Sequence, residues 1–158
     1  MTVIIISAIA AIIMYVLYRR FVGFAGVAFK QDDPRLLAAK RQARDSLPVF
    51  WAALEGGDPA NEDFMLKFNL NHNSGLEDNE SIWAVDIKRR DGRIFGKLGN
   101  APRNPKFSAG QEIRIAPEAI DDWGYFRKGI AQGNYVTRLM LETAPAGIAR
   151  KQRAVMGW

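Results

Sequence analysis

The sequence predicts an α+β domain preceded by a transmembrane helix. An uncharged apolar run occupies residues 3–18, and helical periodicity follows over residues 33–55. From residue 63 onward the apolar side chains instead recur with a period of two. Helices followed by meandering strands are typical of α+β domains. We therefore expect one or two helices packed on a curved antiparallel β-sheet of five to six strands.

The apolar run, VIIISAIAAIIMYVLY, is followed directly by Arg19 and Arg20. As a helix it would reach about 24 Å, and snorkelling arginines can span the remainder of a hydrocarbon layer that is ~30 Å thick. Positive charge after the run places the following domain in the cytoplasm and the N-terminus outside. We predict a single-pass protein of the bacterial inner membrane, bound to the lipid bilayer through residues 3–18.

Two other interpretations of this run stay open. A cleaved signal peptide would have its small-residue site at residues 26–28 and would export the domain, and a buried core helix is the third interpretation. No Lys or Arg precedes the run, and two arginines separate it from the small residues. Both features favour the anchor over the signal peptide.

The bulk composition indicates one folded domain. The chain has 158 residues, 48% of them hydrophobic and 25% charged, which is enough for a single core. It has no cysteine, which excludes disulfide-linked oligomers and thiolate chemistry. We predict a membrane anchor and juxtamembrane segment over residues 1–30, an α+β domain over residues 31–143, and a flexible basic tail over residues 144–158.

Two helices are predicted before the first strand. Asp33 as N-cap and Pro34 at the first helical position begin the first helix. Its apolar face follows helical spacing and consists of Leu36, Ala39, Ala43 and Leu47. Pro48 would start a second, short helix that ends at Gly56.

Strands are predicted from the alternation of apolar residues. DFMLKFNLN has one apolar face, which we expect to pack on the helix that bears Leu36 and Ala43, and which consists of Phe64, Leu66, Phe68 and Leu70. Residues 81–99 predict a hairpin with its turn at Asp91-Gly92. One face of its first strand would carry Trp83, Val85 and Ile87. A short strand, QEIRI, would point Ile113 and Ile115 inward.

The stretch AIDDWGYFRKGIAQGNYVTRLM, residues 119–140, predicts a corner. Pro117 would begin one helical turn that points Ile120 and Trp123 inward and leaves Asp121 and Asp122 outside. A strand over residues 124–127, a glycine turn and a last strand over residues 134–142 would follow. Asp122 is expected to accept hydrogen bonds from backbone N–H groups of the turn or from Arg138.

Most site chemistries are disfavoured. His72 is the only histidine, so a transition-metal site would depend on carboxylates alone. The glycines match no phosphate-binding motif. The basic hairpin KRRDGR has little aromatic interleaving, so no nucleic-acid partner is expected. We predict no cofactor and no metal.

Six short motifs, in order, resemble the YegJ-like bacterial domain of unknown function 2314. They are LPVFWAAL, ESIWAVDI, the G-x-L-x-N-x-P spacing of residues 96–102, AGQEIRI, AIDDWGY and GNYVTRL. The resemblance covers about residues 33–142. This chain departs from the family at Gly99 and Ala101, where the family often has acidic residues. It also has Tyr135-Val136-Thr137-Arg138 where the family usually has Tyr-Thr-x-Arg. It implies an α+β domain and no known reaction, cofactor or catalytic residue.

We predict a membrane-tethered, non-enzymatic accessory domain that binds another protein, such as an immunity or regulatory partner. No catalytic residue is expected. The candidate ligand or corner residues are Trp83, Asn100, Asp122, Trp123, Tyr135 and Arg138. The alternative is a small hydrolase that uses Asp121 or Asp122 with His72.

Overall fold

The computed structural model describes residues 29–72 and 79–158. Its elements are α1 (Pro34–Asp45), α2 (Leu47–Glu55), β1 (Asn61–Asn69), β2 (Ser81–Arg90), β3 (Arg93–Leu98), β4 (Glu112–Ile115), a 3-10 turn (Pro117–Ala119), β5 (Ile120–Arg127), β6 (Ile130–Gly133), α3 (Tyr135–Thr143) and α4 (Ala146–Met156). The predicted membrane anchor, residues 3–18, lies outside the described residues. Among those described, no helix has the length and apolar character needed to cross a bilayer.

The six strands form one antiparallel sheet in the order β4-β3-β2-β1-β5-β6. The α+β fold and the six strands confirm the prediction, but the described chain has four helices, where one or two were expected. At α1, Asp33 caps the helix as predicted, because its carboxylate accepts the backbone N–H of Arg35 at 2.9 Å.

The first face of the sheet carries the main core beneath α2 and the end of α1. Leu66 and Phe50 are fully buried there and pack with Ala43, as the period-two pattern of β1 predicts. Leu36 does not join this cluster; it packs with Ala39 and Val136 instead. Helix α1 therefore contacts the first-face core through its C-terminal half and α3 through its N-terminal half.

A bulge in β2 overturns the predicted face of the hairpin. Asp86 has φ 53°, and the pairing register with β3 shifts between Val85 and Lys88. Trp83 and Val85 consequently lie on the second face, whereas Ile87 joins the first-face core. The turn itself is as predicted, because Asp91 and Gly92 both have positive φ, as a type I′ turn requires.

The second face of the sheet is also covered. Met65, Trp83, Phe126 and Ala131 pack there against the fully buried Met156 of α4. The prediction of a flexible tail is therefore wrong for Ala146–Met156. Helix α4 ends at Gly157, whose φ of 73° allows the Trp158 N–H to reach the Arg153 carbonyl at 2.9 Å.

The last predicted strand is also wrong, because Tyr135–Thr143 form α3. The aromatic and β-branched residues at its start favour a strand locally. The helical spacing of Val136, Leu139 and Met140 instead suits packing on α1. Asn134, with φ 57°, turns the chain out of β6 before the helix begins.

Ile120 and Trp123 are buried in the same cluster, but not through a helical turn. Both belong to β5, where three-residue spacing would normally place them on opposite faces. The pairing with β1 shifts between Lys67 and Phe68, so that Asp121 is the extra residue of a bulge. This bulge brings both side chains to the first face.

Leu66→Asp should unfold the domain. An unpaired carboxylate at this fully buried position costs on the order of 5 kcal/mol, which is comparable to the whole stability of a small domain. Thermal melting followed by circular dichroism measures the effect, and Arg114→Asp at an exposed position is the matched control. A cooperative, wild-type melt of Leu66→Asp would contradict the observed packing.

Candidate functional site: a lysine cavity between α1, α3 and the sheet

The carboxylate of Asp122 caps α3 from a neighbouring strand. It accepts the backbone N–H of Val136 at 2.9 Å and that of Tyr135 at 3.1 Å, both in the first turn of α3. It also accepts the N–H of Trp123 at 2.9 Å. Because Asn134 provides no side-chain cap, Asp122 supplies the acceptor that the start of the helix needs.

Burial dominates the electrostatics of Asp122. The side chain is fully buried, and desolvation raises its pKa to about 6. The three backbone N–H groups and the nearby Lys67 ammonium act in the opposite direction. Removal from water outweighs them, so the carboxyl group ionises less readily than an exposed aspartate.

A cavity of about 230 Å³ lies on the second face, where α1 and α3 meet the sheet. Lys67 pairs with Asp122 across β1 and β5, so the two side chains share this face. The lining residues are Phe29, Gln31, Leu36, Lys40, Lys67, Ser81, Asp121, Val136 and Met140. Polar groups of the sheet thus meet apolar groups of the two helices.

Lys67 is the principal cation of this cavity. Desolvation lowers the pKa of its ammonium, although Asp122 and Asp121 act to raise it. The nitrogen lies 5.7 Å from the centroid of the Trp83 ring. Within residues 29–72 and 79–158 it makes no hydrogen bond or ion pair, so its N–H donors remain available to a ligand.

The second lysine of the cavity is already engaged. The Lys40 ammonium lies 3.1 Å from Oδ1 of Asp121, and the Ser81 hydroxyl donates to Oδ2 of the same carboxylate at 3.1 Å. Asp121 is only 8% exposed, so the prediction that it projects into solvent is wrong. Both carboxylates of the Asp121-Asp122 pair therefore have their own donors.

The predicted site residues are distributed over three places. Asp122, Trp123 and Tyr135 meet at the start of α3, where the Trp123 indole N–H donates to the Ala43 carbonyl at 2.9 Å. Trp83 lies on the second face beside Lys67. Asn100 follows β3, and its amide donates to the Ala101 carbonyl at 3.4 Å.

Arg138 is not the partner of Asp122 that the sequence suggested. Its guanidinium donates to the carbonyls of Gly133 at 2.9 Å and Ala131 at 3.3 Å. It also lies 3.8 Å from the centroid of the Trp158 ring. Arg138 therefore connects α3 to β6 and the chain end, and the backbone N–H groups remain the partners of Asp122.

His72 does not line the cavity. It follows β1, and its backbone N–H donates to the Asn69 carbonyl at 3.2 Å. Over residues 29–72 and 79–158, no group of three or more His, Asp or Glu side chains could hold a metal ion. The geometry thus brings no histidine to the Asp121-Asp122 pair.

Sequence reasoning missed Lys40, Lys67 and Ser81. The signal available for Lys67 was a charged residue between Leu66 and Phe68, in the otherwise apolar stretch of residues 64–68. Alternation alone placed Lys67 on the face opposite Phe64 and Leu66 and gave no sign of what packs there. Only the packing of α3 and α4 onto the second face showed that it is covered.

Comparison with known proteins shows the family. The family described as "Uncharacterized protein conserved in bacteria (DUF2314)" matches residues 33–154. This chain belongs to that family. The match covers α1 through most of α4 and so includes every element that borders the cavity.

The chain is also similar to "Uncharacterized protein YegJ" of Escherichia coli (strain K12). The two are 33% identical over 78 residues, which cover 48% of this chain and 50% of the relative. The match therefore spans about half the length of that relative. No solved structure gives a significant match.

Replacing Asp122 should reveal both the cap and its ionisation. Asp122→Ala leaves three backbone N–H groups without an acceptor and should lower the free energy of unfolding by about 1 to 3 kcal/mol. The pKa of Asp122 is raised in the folded state, so its protonation contributes to the free energy of unfolding. This contribution is present in full below pH about 4 and is lost as the pH rises through about 6.

Asp122→Asn isolates the effect of Asp122 ionisation on stability, because asparagine keeps an acceptor oxygen but cannot ionise. The wild-type stability minus that of Asp122→Asn should decrease by about 2 kcal/mol between pH 4 and pH 7, since a raised carboxyl pKa disfavours ionisation in the fold. Urea denaturation across this pH range measures the difference. A difference that grows with pH would show that the N–H groups outweigh desolvation.

Lys67→Met should stabilise the domain. Methionine has a similar length and removes an ammonium whose desolvation is not offset by a hydrogen bond to any described residue, so we expect a gain of about 1 kcal/mol or more. Thermal melting measures it, with Lys106→Met at an exposed position as control. A clear loss of stability would mean that Lys67 supports the fold through Asp122.

Proposed function

We propose that this chain is a membrane-tethered, non-enzymatic binding domain whose cavity receives an acidic group of a partner protein. The observation that carries the proposal is the Lys67 ammonium, which faces the cavity without a hydrogen-bond acceptor among the described residues. A buried ammonium is costly unless it is paired. A partner carboxylate would provide that pair when it binds.

The other charged groups favour this use of Lys67. Asp121 is paired with Lys40 and Ser81, and the Asp122 oxygens face backbone N–H groups. These carboxylates are therefore occupied, and Lys67 is the group left with open donors. The volume of about 230 Å³ suits one side chain or chain terminus rather than a large substrate.

The apolar lining supports a protein partner. Leu36, Val136 and Met140 also line the cavity and can contact the methylene groups of a glutamate or an apolar neighbour. Methionine adapts its shape to different contacts, which suits a binding surface. A charged anchor surrounded by apolar contacts is a common way to hold a peptide segment.

The tether supports a partner at the membrane. Residues 3–18 are apolar and are followed by two arginines, as expected for an anchor with a cytoplasmic domain. Phe29 lines the cavity, so the site lies where the domain leaves the proposed tether. This short connection would keep the cavity near the bilayer.

A hydrolase has less support. His72 is not among the residues that line the cavity, and Asp122 serves as a helix cap. A general base must reach the proton that it removes. The described residues offer the Asp121-Asp122 pair no histidine at such a position.

Site-specific photo-crosslinking in cells tests the proposal. A photoreactive amino acid at Gln31, on the cavity rim, should yield a crosslinked protein in the membrane fraction, whereas one at Arg93, which begins β3 and does not line the cavity, should not. Adding Lys67→Met should abolish the Gln31 product while the domain stays folded, because the acceptor of the partner loses its donor.

Three results would contradict the proposal. The Gln31 product could persist unchanged with Lys67→Met, or no crosslinked protein could form at Gln31 in folded protein. A mature N-terminus near Phe29 in mass spectrometry would contradict the tether alone, because it would show a cleaved signal peptide.

A further inference from the structure

Helix α4 presents an exposed face that is both basic and apolar. It carries Arg150, Lys151 and Arg153 and no acidic residue. All three basic residues are exposed. Neither Arg150 nor Lys151 makes an ion pair with another described residue, so their charge is not neutralised within residues 29–72 and 79–158.

Exposed apolar side chains accompany this charge. In the part of the chain that the structure describes, three of the five strongly exposed large apolar residues lie on α4 or beside it: Ile130 at 48%, Ile148 at 41% and Val155 at 41%. The other two, Leu37 and Val49, belong to different helices. The concentration at α4 is therefore a feature of this surface.

The geometry of α4 places Lys151 beside the exposed apolar side chains. Its buried face consists of Ala149, Gln152 and Met156, which hold the helix against the domain. Ile148 and Val155 are seven residues apart and so lie on one side, with Lys151 between them. At the helix end Gly157 packs against the backbone of Gly129 and Ile130, which brings Ile130 next to α4.

We propose that the α4 surface formed by Ile130, Ile148, Lys151 and Val155, with Arg150 on its solvent-facing flank, docks onto an anionic lipid bilayer. Basic side chains beside exposed aliphatic ones are what a surface-bound amphipathic helix needs, since the charges meet lipid headgroups and the aliphatic groups enter the acyl boundary. Nucleic acid would match the charge but not the aliphatic residues. The inference uses the tether of the proposed function, but not the lysine cavity.

The rest of the fold is compatible with such docking. Phe29, at the start of the described domain, packs with Leu139 and Met140 of α3, and α4 follows α3 after Ala144 and Pro145. A domain held at Phe29 would therefore have α4 within reach of the same bilayer. Two contacts, one at the tether and one at α4, would restrict how the domain turns on the membrane.

Single-cysteine labelling of the full chain tests the docking, since the sequence has no cysteine. An environment-sensitive fluorophore on Val155→Cys should shift to the blue and gain intensity several-fold in nanodiscs that contain phosphatidylglycerol, compared with phosphatidylcholine alone. The same label on Val49→Cys, which is 55% exposed on α2, should not respond.

Charge reversal supplies the matched comparison. Arg150→Glu with Lys151→Glu should remove the lipid-dependent shift at position 155, whereas Arg93→Glu should leave it intact. Absence of a shift in the anionic nanodiscs, or a shift that survives the double reversal, would overturn the proposal. A shift equal in both lipids would also overturn the anionic requirement.

Co-elution of the chain with nanodiscs reports the tether separately. Protein that co-elutes but shows no shift at position 155 refutes the docking of α4 and leaves the tether standing. Protein that does not co-elute refutes the tether; in that case flotation with anionic vesicles decides the α4 surface, and failure to float refutes it as well.

Discussion

The hydrogen bonds of Asp122 to the start of α3 are the interaction on which the second half of the domain depends. The carboxylate is held in β5 opposite Lys67 and binds N–H groups on both sides of the β6 turn. This arrangement ends the sheet and sets the direction of α3. Helix α1 then packs on α3 through Leu36, Ala39 and Val136, and the space left between them and the sheet is the cavity. The site is thus a consequence of how one buried carboxylate joins a strand to a helix.

Close packing around Trp123 reinforces this junction. Its indole N–H is bonded to the end of α1, and its ring lies so near Gly133 that no Cβ would fit there. Gly133 also has φ 68°, which a glycine adopts without strain. The motif residues AIDDWGY and GNYVTRL therefore meet as one structural unit. These two motifs, which resemble the family, position the elements around the cavity, and most of their residues take no direct part in its lining.

Lys67 differs from these residues because, within residues 29–72 and 79–158, its buried ammonium has no hydrogen-bond or ion-pair partner. The neighbouring buried polar groups have partners that explain them: Glu80 accepts backbone N–H groups of Arg103 and Asn104, and Asp121 accepts Lys40 and Ser81. An ammonium whose pKa is lowered, and from which no described residue accepts a hydrogen bond, is the kind of feature that functional sites retain at a cost in stability. Taken with the proposed tether and the proposed docking of α4, this lysine supports a domain that binds its partner close to a membrane.

The sequence by itself determined the α+β class, the N-cap at Asp33, the first strand and the Asp91-Gly92 turn, because each depends on local periodicity or backbone preference. It could not determine that Ile87 lies on the face opposite Trp83 and Val85, nor that a bulge rather than a helical turn brings Trp123 to the face of Ile120. Single-residue bulges at Asp86 and Asp121 reverse the alternation without a distinctive local signal. Nor could it assign α3 and α4. The β-favouring start of α3 is overruled by a cap 13 residues away in sequence, and α4 is held by burial of Met156 on the second face of the sheet. The lysine cavity depends on the bulge at Asp121 and on the packing of α3, which are both long-range effects, and this is why only the tertiary structure revealed it.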